Sequence, residues 1–146
     1  MQRSASREQA FLLLFENSFN NYPLNKLLEV KLCENQKSYK IDDFSKELFL
    51  GVKSNENSLN ETIARYSKNW NKDRISRVSS CILKIATYEI LFRADIPNSV
   101  SVNEAVNLAK KYGTEAEYAF VNGVLGKICP KQENEKSKEL TKAKAL

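Results

Sequence analysis

The chain has 146 residues, with 42% hydrophobic residues, 28% charged residues and a formal net charge of +5. This length predicts one domain that buries roughly two-thirds of the surface of the unfolded chain. The four glycines and three prolines argue against a turn-rich all-β fold, and the absence of histidine excludes a Cys–His dyad and a Ser–His–Asp triad within the chain.

The cysteines indicate the compartment and the absence of a metal. Cys33, Cys81 and Cys129 are odd in number and far apart, and no CxxC occurs. Free thiols of this kind usually lie in the core of a reduced, cytosolic protein. No signal peptide opens the sequence, and no apolar run approaches the roughly 18 residues of a membrane span. We therefore expect a cytoplasmic protein with no metal site and no cofactor.

Helical patterns begin near the N-terminus. The spacing Ser6–Gln9 suggests a capping box, so the first helix is predicted to start at Ser4 or Ser6 and to run through REQAFLLLFEN. Pro23 suits the first turn of a second helix, LNKLLEVKLC. Asp42 and Asp43 are candidate caps of a third helix, and NENSLNETIARY predicts a shorter fourth one.

The strongest helical pattern is SRVSSCILKIATYEILFR, whose apolar stripe is interrupted by Glu89. Capping boxes at Ser101–Glu104 and Thr114–Glu117 predict two further helices, the first ended by Gly113 and the second by Pro130. The charged segment 131–146 lacks aromatic residues and is predicted to be flexible. The patterns predict about seven helices and no strand.

The segment AFVNGVLGKI has an amphipathic helical pattern that contains Gly123 and Gly126. Each glycine costs about 1 kcal/mol in a helix relative to alanine. One interpretation is close packing of another helix on the glycines, and Gly123→Leu would then destabilise by overpacking. The other is a groove beside the glycines that admits the backbone of a ligand.

Several motifs together resemble one family. VSVNEAVNLAKKYG followed by FVNGVLGKI resembles the C-terminal signature of the NusB family of transcription antitermination factors. RVSSCILKIATYEILFRADIP, REQAFLLLFE and DFSKELFLGV resemble three earlier segments of that family. The resemblance covers the chain from Arg3 to Pro130.

The resemblance implies an all-α fold of two small three-helix subdomains joined by a linking helix, over residues 1–130 and followed by the tail 131–146. It also implies binding to the boxA RNA of ribosomal RNA leader transcripts, together with NusE, a small-subunit ribosomal protein. These factors would act on RNA polymerase with other Nus factors to suppress termination in ribosomal RNA operons, without catalysis.

Individual residues can be assigned to RNA binding only through the resemblance. Arg3, Ser4 and Arg7 match the basic segment at the start of the first helix, where a helix N-terminus favours phosphate and arginine binds it bidentately. Asn122 and Lys127 on the last helix complete the set. The alternative for the two arginines is a solvated N-terminus.

For the protein partner, the resemblance points to Phe15, Lys84 and Glu89. A carboxylate that interrupts an apolar stripe suits an interface better than a core, so Glu89→Lys is expected to weaken partner binding and to leave the fold intact. The alternative is a surface Glu89 paired with Lys84 or Arg93.

Two other functions remain open from the sequence. One is a protein–protein scaffold in ribosome biogenesis with weak RNA binding, because the basic segment is thin. The other is an enzyme, since a related domain forms the N-terminal part of some ribosomal RNA cytosine methyltransferases. The chain has no glycine-rich cofactor loop, so we expect no catalysis.

Overall fold

The computed structural model describes residues 3–20, 41–67 and 75–129, and every regular element in these ranges is a helix. The six helices in these ranges are α1 (Arg3–Asn20), α2 (Asp43–Ser54), α3 (Glu56–Tyr66), α4 (Arg77–Phe92), α5 (Asn98–Tyr112) and α6 (residues 115–129). The predicted all-α fold is confirmed. The predicted helix after Pro23 and the tail 131–146 lie outside the described residues.

Helix α4 is the centre of the fold. It packs against α1, α2, α3 and α5, and each residue from Cys81 to Ile90 is buried except the partly exposed Lys84. A helix surrounded in this way must be apolar on nearly every side, which explains why its residues form the strongest helical pattern. The buried side chains of all six helices form one continuous cluster around it.

Two of the predicted helix starts are confirmed. The carboxylate of Asp42 caps α2 by accepting a hydrogen bond of 2.8 Å from the backbone N–H of Ser45. At the start of α6, the hydroxyl of Thr114 accepts a hydrogen bond of 3.2 Å from the N–H of Glu117. Each bond satisfies one of the N–H groups that a first helical turn leaves without an intrahelical partner.

The other two predicted capping boxes are wrong. Helix α1 begins at Arg3 and α5 begins at Asn98, so Ser6 and Ser101 both lie inside helices. Both serines are buried, and their hydroxyls donate to carboxylates on other elements: Ser6 to Asp42 at 2.5 Å and Ser101 to Glu89 at 2.9 Å. The sequence spacing does not distinguish a serine that caps a helix from one that bonds a distant carboxylate.

Gly113 ends α5, but not through the left-handed conformation that favours glycine. Its φ is −116°, which is extended, and its N–H donates to the carbonyl of Ala109 at 2.9 Å. A Cβ at this position would lie 2.6 Å from Oε2 of Glu117 and 3.0 Å from the Ala109 oxygen. A side chain at this position would therefore displace the Glu117 carboxylate and crowd the carbonyl of Ala109.

Candidate nucleic-acid and partner interface

The first turn of α1 divides into an exposed part and a buried part. Arg3, Ser4 and Ala5 are exposed, whereas Ser6 and Arg7 are buried. The first turn contains no acidic side chain, so nothing in the turn itself opposes the preference of a helix N-terminus for an anion. Arg3 and Ser4 are therefore the candidate RNA contacts of this turn that lie on the surface.

Arg7 is part of a buried ion pair. Its Nε lies 2.7 Å from Oε2 of Glu89 and its Nη2 lies 2.9 Å from Oε1, while Arg7 and Glu89 are 3% and 0% exposed. Ser101 donates a third hydrogen bond to the same carboxylate. Arg7 and Glu89 therefore hold α1, α4 and α5 together.

This pair corrects two expectations. Glu89 is not on the surface, either at an interface or paired with Lys84 or Arg93, because its carboxylate lies in the core against Arg7. Arg7 is likewise turned inward and does not present its guanidinium to solvent. The break in the apolar stripe of α4 marks a buried polar contact.

Arg3 is the exposed arginine of the α1 turn. Its guanidinium carbon lies 4.6 Å from the ring centroid of Phe44 on α2, within the range of a cation–π contact. Among the described residues, no carboxylate lies within 4.0 Å of the Arg3 guanidinium. Its charge is therefore available to a ligand.

Ser4 lies beside Arg3 but is already engaged. Its hydroxyl donates to Oε1 of Glu104 on α5 at 2.7 Å. A serine hydroxyl keeps its acceptor lone pairs after donating one hydrogen bond. Ser4 can therefore accept a hydrogen bond from a ligand, but it donates to a phosphate only if it leaves Glu104.

A second cluster of charges links α1 to α5 next to this turn. Lys111 and the hydroxyl of Tyr112 both contact Oε1 of Glu8 at 2.5 Å. The hydrogen bonds from Lys111 and then from Tyr112 lower the pKa of Glu8 from its usual value, against a smaller opposing effect of burial. Lys110 lies 5.0 Å from the ring centroid of Tyr118 on α6. Helix α5 thus joins the α1 turn to the start of α6.

Helix α6 has a buried apolar face and an open face. The buried face belongs to the core cluster around α4, and its members recur every three or four residues, which puts them on one side of the helix. They are Phe120, Val121, Val124, Leu125 and Ile128.

Residues of the open face of α6 are Asn122, Gly123, Gly126 and Lys127, all of them exposed. Among the described residues, a Cβ at Gly123 or at Gly126 would meet no atom within 4 Å. Our interpretation of close helix packing at these glycines is therefore wrong, as is the expectation that Gly123→Leu overpacks the core. The other interpretation, a groove beside the glycines that admits the backbone of a ligand, stays a prediction.

The residues predicted to bind the protein partner lie on different surfaces. Phe15 is half-buried and stacks on Phe11 with 5.9 Å between ring centroids. Lys84 contacts Glu56 at 3.5 Å, on the side of α4 that faces α3. Lys84 and Glu89 are five residues apart, which puts them about 140° apart around α4.

The sequence did not identify the aromatic surface that adjoins Phe15. Phe19 is 57% exposed and packs edge-on against Phe15 at 4.9 Å. Arg77 of α4 lies 4.2 Å from the Phe19 ring centroid and donates to the carbonyl of Ser18 at 3.0 Å. The spacing of four residues between Phe15 and Phe19 was the available signal, because such residues are neighbours on a helix.

Neither a metal cluster nor a membrane-spanning helix occurs in the described part of the chain. Within residues 3–20, 41–67 and 75–129, no three or more acidic, cysteine or histidine side chains are placed to hold a metal ion. None of the helices in those ranges combines the length and the apolar character needed to cross a bilayer.

The described residues form an all-helical protein with cationic, hydroxyl and amide side chains exposed at the start of α1 and on α6. The chain belongs to the NusB family, whose family model matches residues 4–130. The transcription antitermination protein NusB of Clostridium botulinum is 42% identical over 142 residues, covering 88% of this chain and 99% of the relative.

Solved structures agree with this assignment. The structure of T. maritima NusB has a TM-score of 0.81 and 34% identity, and covers 94% of this chain and 98% of that chain. A crystal structure of antitermination factors NusB and NusE in complex with double-stranded RNA contains a chain with a TM-score of 0.75 and 24% identity, covering 86% of this chain and 94% of that chain. At 24% identity, the likeness to the chain of the NusB–NusE complex shows a shared fold and nothing more.

Proposed function

We propose that this protein is a transcription antitermination factor that binds the boxA RNA of ribosomal RNA leader transcripts together with NusE. In the cytoplasm it joins RNA polymerase and other Nus factors and promotes complete transcription of ribosomal RNA operons. The relatives named as transcription antitermination proteins support this proposal. Residues 1–130 form the RNA-binding helical domain, and the family match to residues 4–130 supports that boundary.

The single observation that carries the proposal is the open face of α6. The motif VNGVLGK contains two exposed glycines at which a Cβ would meet none of the described residues outside the helix itself within 4 Å, beside the exposed Asn122 and Lys127. Because a side chain at these glycines would pack against none of the described residues, their cost in helix stability needs another reason. Close approach of an RNA backbone, with Lys127 on a phosphate and Asn122 on a polar edge, supplies one.

Arg3 and Ser4 at the start of α1 form the other part of the proposed RNA site. The burial of Arg7 reduces the cations of this turn to the one that Arg3 presents. Each protein cation that no longer contacts an RNA phosphate lowers the salt dependence of binding by roughly 0.7 to 0.9 units of log K per log salt. We therefore expect weaker RNA binding by this chain alone than an arginine-rich segment would give.

The proposed surface for NusE is centred on Phe15 and includes Phe19 and Arg77. Exposed aromatic and arginine side chains are enriched at protein interfaces. Arg77 is held beside the Phe19 ring by its hydrogen bond to the carbonyl of Ser18. Lys84 remains a candidate at the edge of the interface. Glu89 is left out because it is buried.

The second candidate function is a protein scaffold with weak RNA binding. The internal position of Arg7 favours it, because the basic segment then offers little sequence-independent attraction to phosphate. The two candidates differ in RNA preference, since a scaffold has no reason to distinguish boxA from another sequence.

The test is fluorescence anisotropy of labelled boxA RNA against a scrambled RNA over several salt concentrations, with and without NusE. The antitermination proposal expects a preference for boxA that increases with NusE. Arg3→Gln should lower the salt slope by about one unit, whereas Arg65→Gln on α3, the matched removal of an exposed charge, should change it less. Equal and weak binding of both RNAs with NusE present would contradict the proposal and favour the scaffold.

A further inference from the structure

Phe44 is surrounded by three guanidinium groups. The carbons of Arg3, Arg7 and Arg93 lie 4.6, 5.4 and 5.5 Å from its ring centroid. The ring is half-buried on α2 and packs against the core. Phe44 was not among the residues that the sequence singled out, because one aromatic residue at the start of a helix is ordinary core material.

Two of these arginines are neutralised by carboxylates. Arg7 is paired with Glu89. Arg93 contacts Glu47 at 2.6 Å and Asp95 at 2.9 Å.

Arg3 differs from the other two arginines at this ring. It is exposed, and within the described part of the chain no carboxylate lies within salt-bridge distance of it. Its guanidinium nonetheless lies over the ring of Phe44, in a cation–π contact. The ring of Phe44 therefore carries one arginine whose charge is open to a ligand.

A ring under an exposed arginine affects binding in a specific way. An arginine side chain loses considerable rotamer freedom when it is fixed on a ligand. Stacking on an aromatic face fixes the plane of the guanidinium in advance, while its N–H groups still point outward in that plane. A ligand phosphate then meets donors that are already oriented, which lowers the entropic cost of binding.

The neighbours of Phe44 also hold the ring itself in place. Asp42, two residues earlier, caps α2 and accepts a hydrogen bond from Ser6 of α1. The hydroxyl of Ser45 donates to the carbonyl of Ser6 at 3.0 Å. These bonds tie the start of α2 to the start of α1, so the distance between Phe44 and Arg3 is set by the fold.

We infer that Phe44 is a positioning residue for RNA binding, whose ring holds the Arg3 guanidinium ready for a backbone phosphate of the RNA. This inference rests on the proposed function, because it takes Arg3 to be an RNA contact. Phe44 acts through Arg3 and does not itself need to touch the RNA.

The experiment is a double-mutant cycle on RNA affinity. Phe44→Leu keeps an apolar side chain in the core and removes the ring. The expected result is a loss of about two- to fivefold in boxA affinity, the size of an exposed cation–π contact. The salt slope should stay at the wild-type value because Arg3 keeps its charge. In the Arg3→Gln background, Phe44→Leu should have no further effect on affinity.

A conservative variant and a direct structural measurement separate positioning from simple stability. Phe44→Tyr retains the π face and should bind RNA like the wild type. The Nε–H resonance of Arg3 should carry a ring-current shift that is present in the wild type and in Phe44→Tyr and absent in Phe44→Leu. This measurement does not depend on RNA.

Three outcomes would overturn the inference: wild-type affinity of Phe44→Leu, a full loss that persists in the Arg3→Gln background, or an Arg3 resonance that is indifferent to the ring. The failure of the proposed function looks different. It appears as equal binding of boxA and scrambled RNA by the wild type, and the same cycle measured on the scrambled RNA then still decides the role of Phe44. An absence of any RNA binding would overturn both.

Discussion

The guanidinium of Arg7 makes two hydrogen bonds to the buried carboxylate of Glu89, of 2.7 and 2.9 Å. The two residues are 82 positions apart in the chain and join the first helix to the central one. Glu104 lies 4.0 Å from the same arginine. The start of α1, where the proposed RNA site lies, is therefore anchored from inside the protein.

The first prediction concerns this pair. Glu89→Gln should lower the free energy of unfolding by about 3–5 kcal/mol, because it leaves the charge of Arg7 buried without its partner. Urea denaturation measures the change, and Glu61→Gln, an exposed glutamate of α3, serves as the control with little effect. The double variant Arg7→Met with Glu89→Leu should recover much of the loss, since neither charge then remains in the core. A change below about 1 kcal/mol in Glu89→Gln would contradict the assignment of a buried ion pair.

The second prediction separates the glycines. Gly123→Ala and Gly126→Ala should each stabilise the protein by about 0.5–1 kcal/mol, because alanine is the better helix former and a Cβ meets open space. Gly51→Ala should destabilise by about 1–3 kcal/mol, because its Cβ would fall inside contact distance of the buried Tyr88 ring. Thermal unfolding gives the order of the three variants. Destabilisation by Gly123→Ala would restore the packing interpretation of α6.

The third prediction tests the junction of α1 and α2 at Asp42. Asp42→Ala should cost about 1–2 kcal/mol, because the helix cap and the bond from Ser6 are removed together. Asp43→Ala is the matched control, since Asp43 is the next residue, is exposed and lies inside the first turn of α2. Equal effects of the two variants in urea denaturation would show that only the local charge matters.

The fourth prediction is a dependence of stability on pH. The hydrogen bonds from Arg93 hold the pKa of Asp95 at about 2, below its usual value, despite an opposing effect of burial. At Asp42 burial is the largest influence and opposes ionisation, but hydrogen bonds from Ser6 and Ser45 outweigh it and lower the pKa.

A carboxylate with a lowered folded-state pKa binds protons more readily in the unfolded chain. Its contribution is complete above the unfolded pKa, near 4, and is lost as the pH falls through the folded value. The urea concentration at the unfolding midpoint should therefore decrease as the pH is lowered from about 4 to about 2. Asp95→Asn should flatten part of this fall, and a midpoint curve identical to that of the wild type would contradict the ion pair with Arg93. The effect is small because the Asp95 side chain is 61% exposed.

Several features of the site follow from the sequence because they depend on nearby residues. The apolar face of α6, with Phe120, Val121, Val124 and Leu125, was readable from its helical spacing. Asp42 and Thr114 were readable as caps because a cap bonds an N–H only three residues later. The family was readable because its motifs recur in the correct order and separation.

Other features depend on residues that are distant in the chain. Glu89 is five residues from Lys84 and four from Arg93, and both suggested a surface pair, but its partner is Arg7 on another helix. Ser6 and Ser101 matched capping boxes, and each bonds a carboxylate of another element. Gly123 and Gly126 matched a packing surface, and only the placement of the other helices shows that none of the described residues packs there.

The sequence by itself determined the helical class, the apolar faces and two helix caps, because each of these depends on residues one or two turns apart. It also determined the family, because the order and separation of the motifs are properties of the sequence. The tertiary structure decided which polar side chains are buried against each other and which remain exposed. The physical reason is that a buried charge is tolerated only when a partner meets it, and that partner comes from wherever the chain returns in space. Arg3 and Arg7 are four residues apart, and only the fold leaves one to solvent and pairs the other with Glu89.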